Sequence, residues 1–206
     1  MAAKCDTTAL AGARDKAMIL LAFACALRVS ELAKLNAEDI ALSDDRIALT
    51  LRNAKTAEAS QVQHVVAACS PDLVLCPVES VRCWLNFAVI EAGPAFRGLT
   101  KHGTIRTAAI SVRALGDIIK TRARAAGVVG WADVSSHSLR RGWATAAATA
   151  GVPAAIIKDH GRWKTSASAE RYIDEVGSAS AMAATRAVVR EMSFGESMAW
   201  AKTKHA

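Results

Sequence analysis

The pattern of hydrophobic and polar positions along the chain predicts a mainly helical domain with one β-hairpin. The helix predicted over residues 14–27 is apolar from Ala17 onward and is followed by Arg28, so it is a buried helix too short to span a membrane. Residues 46–52 alternate between apolar and polar side chains, as expected of a half-buried strand. Residues 61–66 are predicted to pair with that strand across a polar hairpin loop.

Turn-forming and capping residues divide the rest of the chain into further helices. A second, amphipathic helix is predicted after Arg28, and Pro77 begins another helix that Gly93 and Pro94 end. The basic segment 96–107 is predicted to be a loop. The next three helices are predicted to begin at Ser111, at Ser135 or Ser136, and at Pro153, and a further helix carries Tyr172.

The whole chain has a formal net charge of +7, and its positive charge is concentrated in the second half. Residues 1–96 hold nine Lys/Arg against eleven Asp/Glu, whereas residues 97–124 hold seven against one and residues 137–171 hold six against two. Basicity confined to one half favours a surface that faces a polyanion. A solvated basic face is an equally good interpretation of the charge alone.

The five cysteines predict neither a disulfide framework nor a zinc site, because their number is odd and none form a Cys-x-x-Cys pair. Cys69, Cys76 and Cys83 recur every seven residues, but Pro71 and Pro77 exclude a helix shared by all three. We expect reduced, mostly structural thiols in a cytoplasmic protein. The amino-terminal residues lack the shape of a signal peptide.

The segment from His137 to residue 174 gathers basic and aromatic groups around Tyr172, which is the only tyrosine in the chain. His137 and Arg140 are three residues apart, so they are predicted to share one helix face and to reach one phosphate group. Cutting a phosphodiester without a metal requires a nucleophile, fixed positive charge and an acid for the leaving oxygen. A His-x-x-Arg pair alone is a weak signal, and a tyrosine in a helix is more often a packing residue.

Several stretches of the chain together resemble the tyrosine recombinases, the phage integrase family. HSLRRG and GRWKTSASAERYID resemble the family's carboxy-terminal signature, in which Tyr172 follows Trp163 by nine positions. ALRVSELAKLNAEDI resembles the family's first arginine motif and supplies Arg28 and Glu31. LRNAKT resembles the hairpin that presents the family's catalytic lysine, here Lys55. The motifs occur in the family's order, and that order is far more specific than any one of them.

The resemblance implies a catalytic site that uses neither a metal nor another cofactor. Arg28 and Arg140 would hold the scissile phosphate and stabilise its transition state. Tyr172 would attack phosphorus, which gives a 3′-phosphotyrosyl bond and a free 5′-hydroxyl. Lys55 would protonate the departing 5′ oxygen, and His137 would accept a proton or bind the phosphate.

Trp163 and Glu31 complete the site that the resemblance implies. The indole of Trp163 donates only through its N–H, so it would hydrogen-bond the phosphate or brace the helix of Tyr172. Most family members have His at that position, and Trp is an accepted variant. Glu31 would hold the basic groups in place. The alternatives are that Trp163 is a core residue, that Glu31 begins the second helix, and that a neighbouring lysine replaces Lys55.

The resemblance covers about residues 14–176 and implies the family's catalytic-domain fold, mainly α with a small antiparallel β-sheet. Residues 1–176 are expected to form that domain, and residues 177–206 a helical extension that docks on a neighbouring protomer. The core-binding domain that the family usually carries ahead of it is expected to be absent from this chain.

Duplex DNA is the partner that the resemblance implies, with two recombination sites held by a homotetramer. The protein would be a cytoplasmic monomer without DNA, would have no membrane partner, and would join the nucleoid when it acts. The basic stretch Lys101–Arg124 would follow phosphates. The cations expected to contact DNA are Lys101, Arg106, Arg113, Arg141, Arg162 and Lys164.

Two other functions are compatible with the same fold, one catalytic and one not. A type IB topoisomerase has a tyrosine and a similar set of arginine, lysine and histidine, but it relaxes supercoils without joining two sites. A DNA-binding regulator would keep the fold and perform no chemistry. The presence of the whole catalytic set disfavours the regulator, and the bacterial-type connecting region around residues 75–100 favours a recombinase.

Overall fold

The computed structural model describes residues 1–52, 62–135, 137–167, 170–172, 174 and 177. The chain divides into two compact units, Met1–Ala144 and Thr145–Ala206. The helices are α1 (Leu10–Ala24), α2 (Val29–Lys34), α3 (Pro77–Phe87), α4 (Val112–Ala125), α5 (Ser138–Thr149) and α6 (Ala154–Gly161). The strands are β1 (Ile40–Leu42), β2 (Arg46–Arg52), β3 (Val62–Ala68), β4 (Arg97–Leu99) and β5 (Ile105–Ala109). Among the described residues, far more lie in helices than in strands, which confirms the predicted mainly α fold class, and the strands form two small antiparallel sheets where one was predicted.

The predicted hairpin is confirmed as the β2–β3 pair of an antiparallel three-stranded sheet with the order β1-β2-β3. Leu49 pairs with Val65, and both are buried, because the alternation puts every second residue of β2 on the core face. The last described pair is Arg52 with Val62. The connecting residues 53–61, which include Lys55, lie outside the described residues.

α1 confirms the predicted buried helix, although it begins at Leu10 and ends at Ala24. It packs mainly against α3 and also contacts α2 and α4. Trp84 of α3 is completely buried, and its indole Nε1 donates a hydrogen bond to the Ala95 carbonyl oxygen at 2.9 Å. That bond satisfies the one polar atom of the largest side chain in the core.

Two charged residues of α1 are buried as well. The carboxylate of Asp15 lies between two guanidinium groups, 2.7 Å from Nη2 of Arg14 and 2.8 Å from Nη2 of Arg122 on α4. Arg14 also donates from Nη1 to the Arg97 carbonyl oxygen at 3.3 Å. One ionic group therefore ties α1 to α4 and to β4.

The predicted end of the third helix at Gly93 is wrong, because α3 ends at Phe87. The main-chain N–H of Val89 bonds to the Asn86 oxygen, and that of Ile90 bonds to the Leu85 oxygen. These two bonds are a Schellman closure with Val89 in the left-handed conformation at φ +50°. Glycine is the usual residue at such a position, so a valine there gives no sequence signal.

The basic segment predicted as a loop is instead the β4–β5 hairpin. Arg97 pairs with Ala109 and Leu99 with Ile105. The prediction was wrong because β4 is only three residues long and Gly98 interrupts its alternation. Gly103 supplies the positive φ of +83° that the turn between the strands requires.

The predicted helix cap at Ser111 is confirmed, because its Oγ accepts a hydrogen bond from the Ala114 N–H at 3.1 Å. α4 then ends at Ala125, and Gly127 follows it at φ +69°. Pro153 immediately precedes α6, as predicted. Within the described ranges, no helix combines the length and apolar character needed to cross a membrane.

Candidate functional site

The chain reverses direction at the end of α1, immediately before Arg28. The N–H of Ala26 bonds to the Phe23 oxygen at 3.0 Å, and the N–H of Leu27 bonds to the Ala22 oxygen at 2.9 Å. This is a second Schellman closure, with Ala26 at φ +45° in the position that glycine usually occupies. The turn leaves Arg28 as the residue from which α2 begins.

The carboxylate of Glu31 holds Arg28 at two points. Oε1 accepts from Nη1 of Arg28 at 2.6 Å, and Oε2 accepts from the main-chain N–H of the same residue at 2.8 Å. The Glu31 side chain is 11% exposed and the Arg28 side chain 41%. Glu31 therefore both begins α2 and fixes the half-exposed guanidinium of Arg28. The sequence left the start of the second helix and the placing of basic groups as alternative roles for Glu31, and the structure shows both.

Arg140 lies on α5 and reaches the same turn. Its residue is only 4% exposed, and Nη1 donates to the Ala26 carbonyl oxygen at 2.6 Å. Ala26 is two residues before Arg28, a span of at most about 7 Å. A Cβ placed on Gly142 would lie 3.6 Å from the Phe23 ring, so α5 runs close against the end of α1. The structure thus brings Arg28 and Arg140 to one place on the first unit.

His137 directly precedes α5 and is exposed. Its main-chain N–H donates to Ser135 Oγ at 3.4 Å, and its carbonyl oxygen accepts from the Arg141 N–H at 3.0 Å. Arg141 is exposed, whereas its neighbour Arg140 is buried. The Arg-Arg pair in the sequence therefore divides into one cation inside the protein and one that faces solvent.

In the second unit, the chain folds back on itself after α6. Arg162 is left-handed at φ 55°, and the Trp163 N–H bonds to the Lys158 oxygen at 3.1 Å. The Trp163 ring consequently lies so close to Gly161 that a Cβ there would overlap it. Only glycine fits at position 161 with the ring in this place.

Trp163 and Tyr172 are in contact. Their ring centroids are 5.6 Å apart and the rings are inclined at 47°. Tilted aromatic pairs at this distance attract each other. The contact favours the interpretation in which Trp163 braces the helical turn of Tyr172, which is itself only partly exposed.

The cations predicted to contact DNA are mostly exposed. Arg162 is the exception, because it is half-buried and donates from Nη1 to the His160 oxygen at 2.9 Å. The exposed ones are Lys101, Arg106, Arg113, Arg141 and Lys164.

Three of the seven cations in residues 97–124 make contacts within the protein. Arg97 donates to the Pro94 and Ala92 oxygens, Arg122 pairs with Asp15, and Arg124 lies 5.0 Å from the Trp131 ring centroid. Counting charge along the sequence therefore overstates the positive surface available to a polyanion.

Two positions that support candidate site residues, one in each unit, were not singled out from the sequence. Ala26 supplies the oxygen that fixes Arg140, and nothing about an alanine marks it for that role. Gly161 appeared only as the glycine that precedes the Trp163 motif. The glycine itself is visible in the sequence, but the reason for it, the indole ring that lies against it, is visible only in the folded chain.

Comparisons with known proteins identify the family and the fold. The family model described as the phage integrase family matches residues 1–177. An integrase/recombinase XerD homolog from Selenomonas ruminantium is 32% identical over 170 residues, which is 82% of this chain and 50% of that protein. The chain thus spans about half the length of the curated relative that it matches.

Solved structures show the same fold. The XerH site-specific recombinase bound to its palindromic difH substrate superposes with a TM-score of 0.65 over 86% of this chain and 46% of that one, at 13% identity. The XerA recombinase gives 0.60 over 81% of this chain and 57% of that one, at 16% identity. The predicted recombinase catalytic-domain fold is confirmed, and the chain belongs to the phage integrase family of tyrosine recombinases.

Proposed function

We propose that this chain is the catalytic part of a site-specific recombinase that cuts and rejoins duplex DNA through Tyr172. The observation that supports this most directly is the meeting of Arg28 and Arg140 at the end of α1, with the Arg140 guanidinium bonded to the Ala26 oxygen. Two arginines fixed at one place suit a phosphodiester, because the guanidinium donates in a plane and keeps its charge.

The two arginines would act by holding positive charge where the pentacoordinate phosphate develops negative charge. Arg140 is fixed in advance by burial and by its bond to Ala26, and Arg28 by the Glu31 carboxylate. Groups held in advance need no reorganisation as the transition state forms, so their electrostatic contribution is large.

The remaining roles follow the family's chemistry residue by residue. Tyr172 attacks phosphorus and becomes joined to the 3′ phosphate, while the 5′ oxygen leaves with a proton from Lys55. His137 accepts a proton or binds the phosphate. Trp163 braces the tyrosine through the ring contact at 5.6 Å and offers its indole N–H to the phosphate. No metal or other cofactor takes part in this scheme.

Strand exchange needs a second duplex and further copies of the protein. A 5′-hydroxyl from another site attacks the phosphotyrosyl bond, so the bond energy is conserved and a four-way junction forms. We propose a homotetramer on two sites and a monomer without DNA, with residues 177–206 docking between protomers. The exposed cations of residues 101–164 contact the phosphates, and the protein works in the cytoplasm on the nucleoid.

Trapping of a covalent complex tests the proposal. Duplex fragments that flank the gene, each nicked beside a candidate cleavage position, lose a short strand after attack and leave the protein bound to DNA. We expect an adduct on a denaturing gel, and phosphotyrosine in its digest must come from Tyr172 because the chain has no other tyrosine. Tyr172→Phe abolishes the adduct and retains DNA binding.

Matched variants extend the test to the arginines. Arg140→Ala lowers the rate of adduct formation by about 100- to 1,000-fold, because it removes a fixed donor to the transition state. Lys4→Ala, which removes an exposed cation outside the site, leaves the rate unchanged. An adduct that persists in Tyr172→Phe refutes the proposal. Relaxation of a plasmid without a recombination site would favour the topoisomerase alternative.

A further inference from the structure

Two thiols that the proposed DNA cleavage does not use meet in the first unit. Cys69 directly follows β3, and Cys76 caps the start of α3. Their Sγ atoms are 3.0 Å apart, well beyond the length of a disulfide bond, which is about 2.05 Å. Both cysteines are therefore free, and they are in direct contact.

The surroundings of Cys76 favour a thiolate. Burial opposes its ionisation, but hydrogen bonds from Cys69 and from the N–H groups of Glu79 and Ser70 outweigh burial and lower the pKa of Cys76. The two main-chain donors lie 3.5 Å and 3.4 Å from its sulfur, at the amino-terminal end of α3. The hydrogen bond between the two sulfurs is also the largest cause of the raised pKa of Cys69. The contact between the two sulfurs therefore makes Cys76 the more readily ionised thiol of the pair.

We propose that Cys69 and Cys76 are a redox site that closes to a disulfide when the protein meets a hydroperoxide. The geometry provides both parts that such a site needs. Cys69 is partly exposed, so a small oxidant reaches it, and Cys76 is buried in contact with it as the resolving cysteine. The proposal is independent of the proposed DNA cleavage.

The reaction balances with the peroxide as the only oxidant. The Cys69 sulfur attacks one peroxide oxygen, the O–O bond breaks, and the other oxygen leaves as water with the thiol proton, which gives a sulfenic acid. The Cys76 thiolate then attacks the Cys69 sulfur. The S–S bond forms, and the hydroxyl group leaves as a second water with one proton from solvent. The two sulfurs together lose two electrons, and the peroxide gains them.

The third cysteine of this region provides an internal comparison. Cys83 lies on α3 and is exposed, and its thiol donates to the Glu79 carboxylate at 3.3 Å. Burial and that hydrogen bond raise the pKa of Cys83, and the bond with Cys76 likewise raises the pKa of Cys69. The two cysteines differ in their partner, because Cys83 contacts a carboxylate whereas Cys69 contacts a second thiol that can close a disulfide. Accessibility alone would favour oxidation of Cys83, whereas the geometry of the pair favours Cys69 and Cys76.

A tryptic digest of the full chain separates these outcomes. Cleavage after Lys55, Arg82 and Arg97 places Cys69 and Cys76 together in peptide 56–82, and Cys83 alone in peptide 83–97. After mild hydrogen peroxide treatment and alkylation, we expect peptide 56–82 to be about 2 Da lighter and without alkyl groups, until a reductant restores both thiols. At half conversion, at most about a tenth of Cys83 is lost.

Variants and contrary outcomes complete the test. Cys83→Ser leaves closure of the pair unchanged, and Cys76→Ser converts the product into sulfenic or sulfinic acid at Cys69. The wild-type digest needs no variant, so a misfolded variant does not decide the result. Equal loss of Cys83, or a gain of about 32 Da on peptide 56–82 without the disulfide, overturns the proposal.

Discussion

At the scale of single residues, the ends of three helices use non-glycine residues in the left-handed conformation. Ala26, Val89 and Arg162 close α1, α3 and α6 with φ between 45° and 55°. Such a conformation costs about 1–2 kcal/mol for a residue with a Cβ. Two of the three turns lead directly to proposed site residues, Arg28 and Trp163. The third turn, at Val89, leads to no proposed site residue, so its backbone strain has no counterpart in the site.

Replacement of that valine should therefore stabilise the protein. Val89 is 77% exposed, so Val89→Gly loses little packing and removes the steric cost of a β-branched residue at φ +50°. We expect the free energy of unfolding to rise by about 1 kcal/mol, measured by urea denaturation.

The matched control is Val129→Gly. Val129 is 99% exposed and its φ is not positive, so glycine brings no relief and only adds freedom to the unfolded chain. We expect a lower urea midpoint. A lower midpoint in both variants would show that the conformation of Val89 carries no strain.

At the scale of elements, helix glycines differ in what surrounds them. Gly12 lies in the first turn of α1, and a Cβ there would overlap the carbonyl oxygen of Asp6. Gly116 lies in α4 with no atom within 4 Å of the same position. The first glycine permits a close approach of main chain to helix, and the second only weakens its helix.

The same substitution is thus expected to have opposite effects in the two helices. Gly12→Ala lowers the free energy of unfolding by about 1–3 kcal/mol, because main-chain atoms must move apart. Gly116→Ala raises it by about 0.5–1 kcal/mol through better helix propensity. Thermal and urea unfolding measure both values. Destabilisation by Gly116→Ala would mean that an unseen constraint requires glycine in α4.

At the scale of the whole molecule, the buried ionic group joins elements that are distant in sequence. Asp15 is 3% exposed and Arg14 is 6% exposed, and Arg122 comes from 107 residues further along the chain. Such a group is costly to assemble, because both charges leave water. Its stability contribution depends on every partner being present.

Removal of the shared carboxylate should destabilise the first unit strongly. Asp15→Ala leaves Arg14 buried without its counter-ion, and we expect the free energy of unfolding to fall by about 3–5 kcal/mol. Asp44→Ala removes a fully exposed carboxylate 3.8 Å from Arg82, and it should leave stability unchanged. Equal urea midpoints for the two variants would contradict a structural role for the buried group.

The sequence by itself determined the elements and motifs that depend on residues close together in the chain. Alternation over residues 46–52 predicted β2 and its buried face, and the run from Ala17 predicted the core helix α1. Ser111 and Pro153 marked helix starts, because caps act on N–H groups within one turn. The ordered motifs around Arg28, Arg140 and Tyr172 identified the family, because each motif is short and local.

Only the tertiary structure decided which of those groups meet and which cations remain available. The bond from Arg140 to the Ala26 oxygen joins residues 114 positions apart, and no local pattern specifies it. Arg140 and Arg141 are identical in the sequence, yet one is buried and the other exposed. The contacts that separate them form between distant segments, because burial is set by the packing of α5 against α1 rather than by residue type.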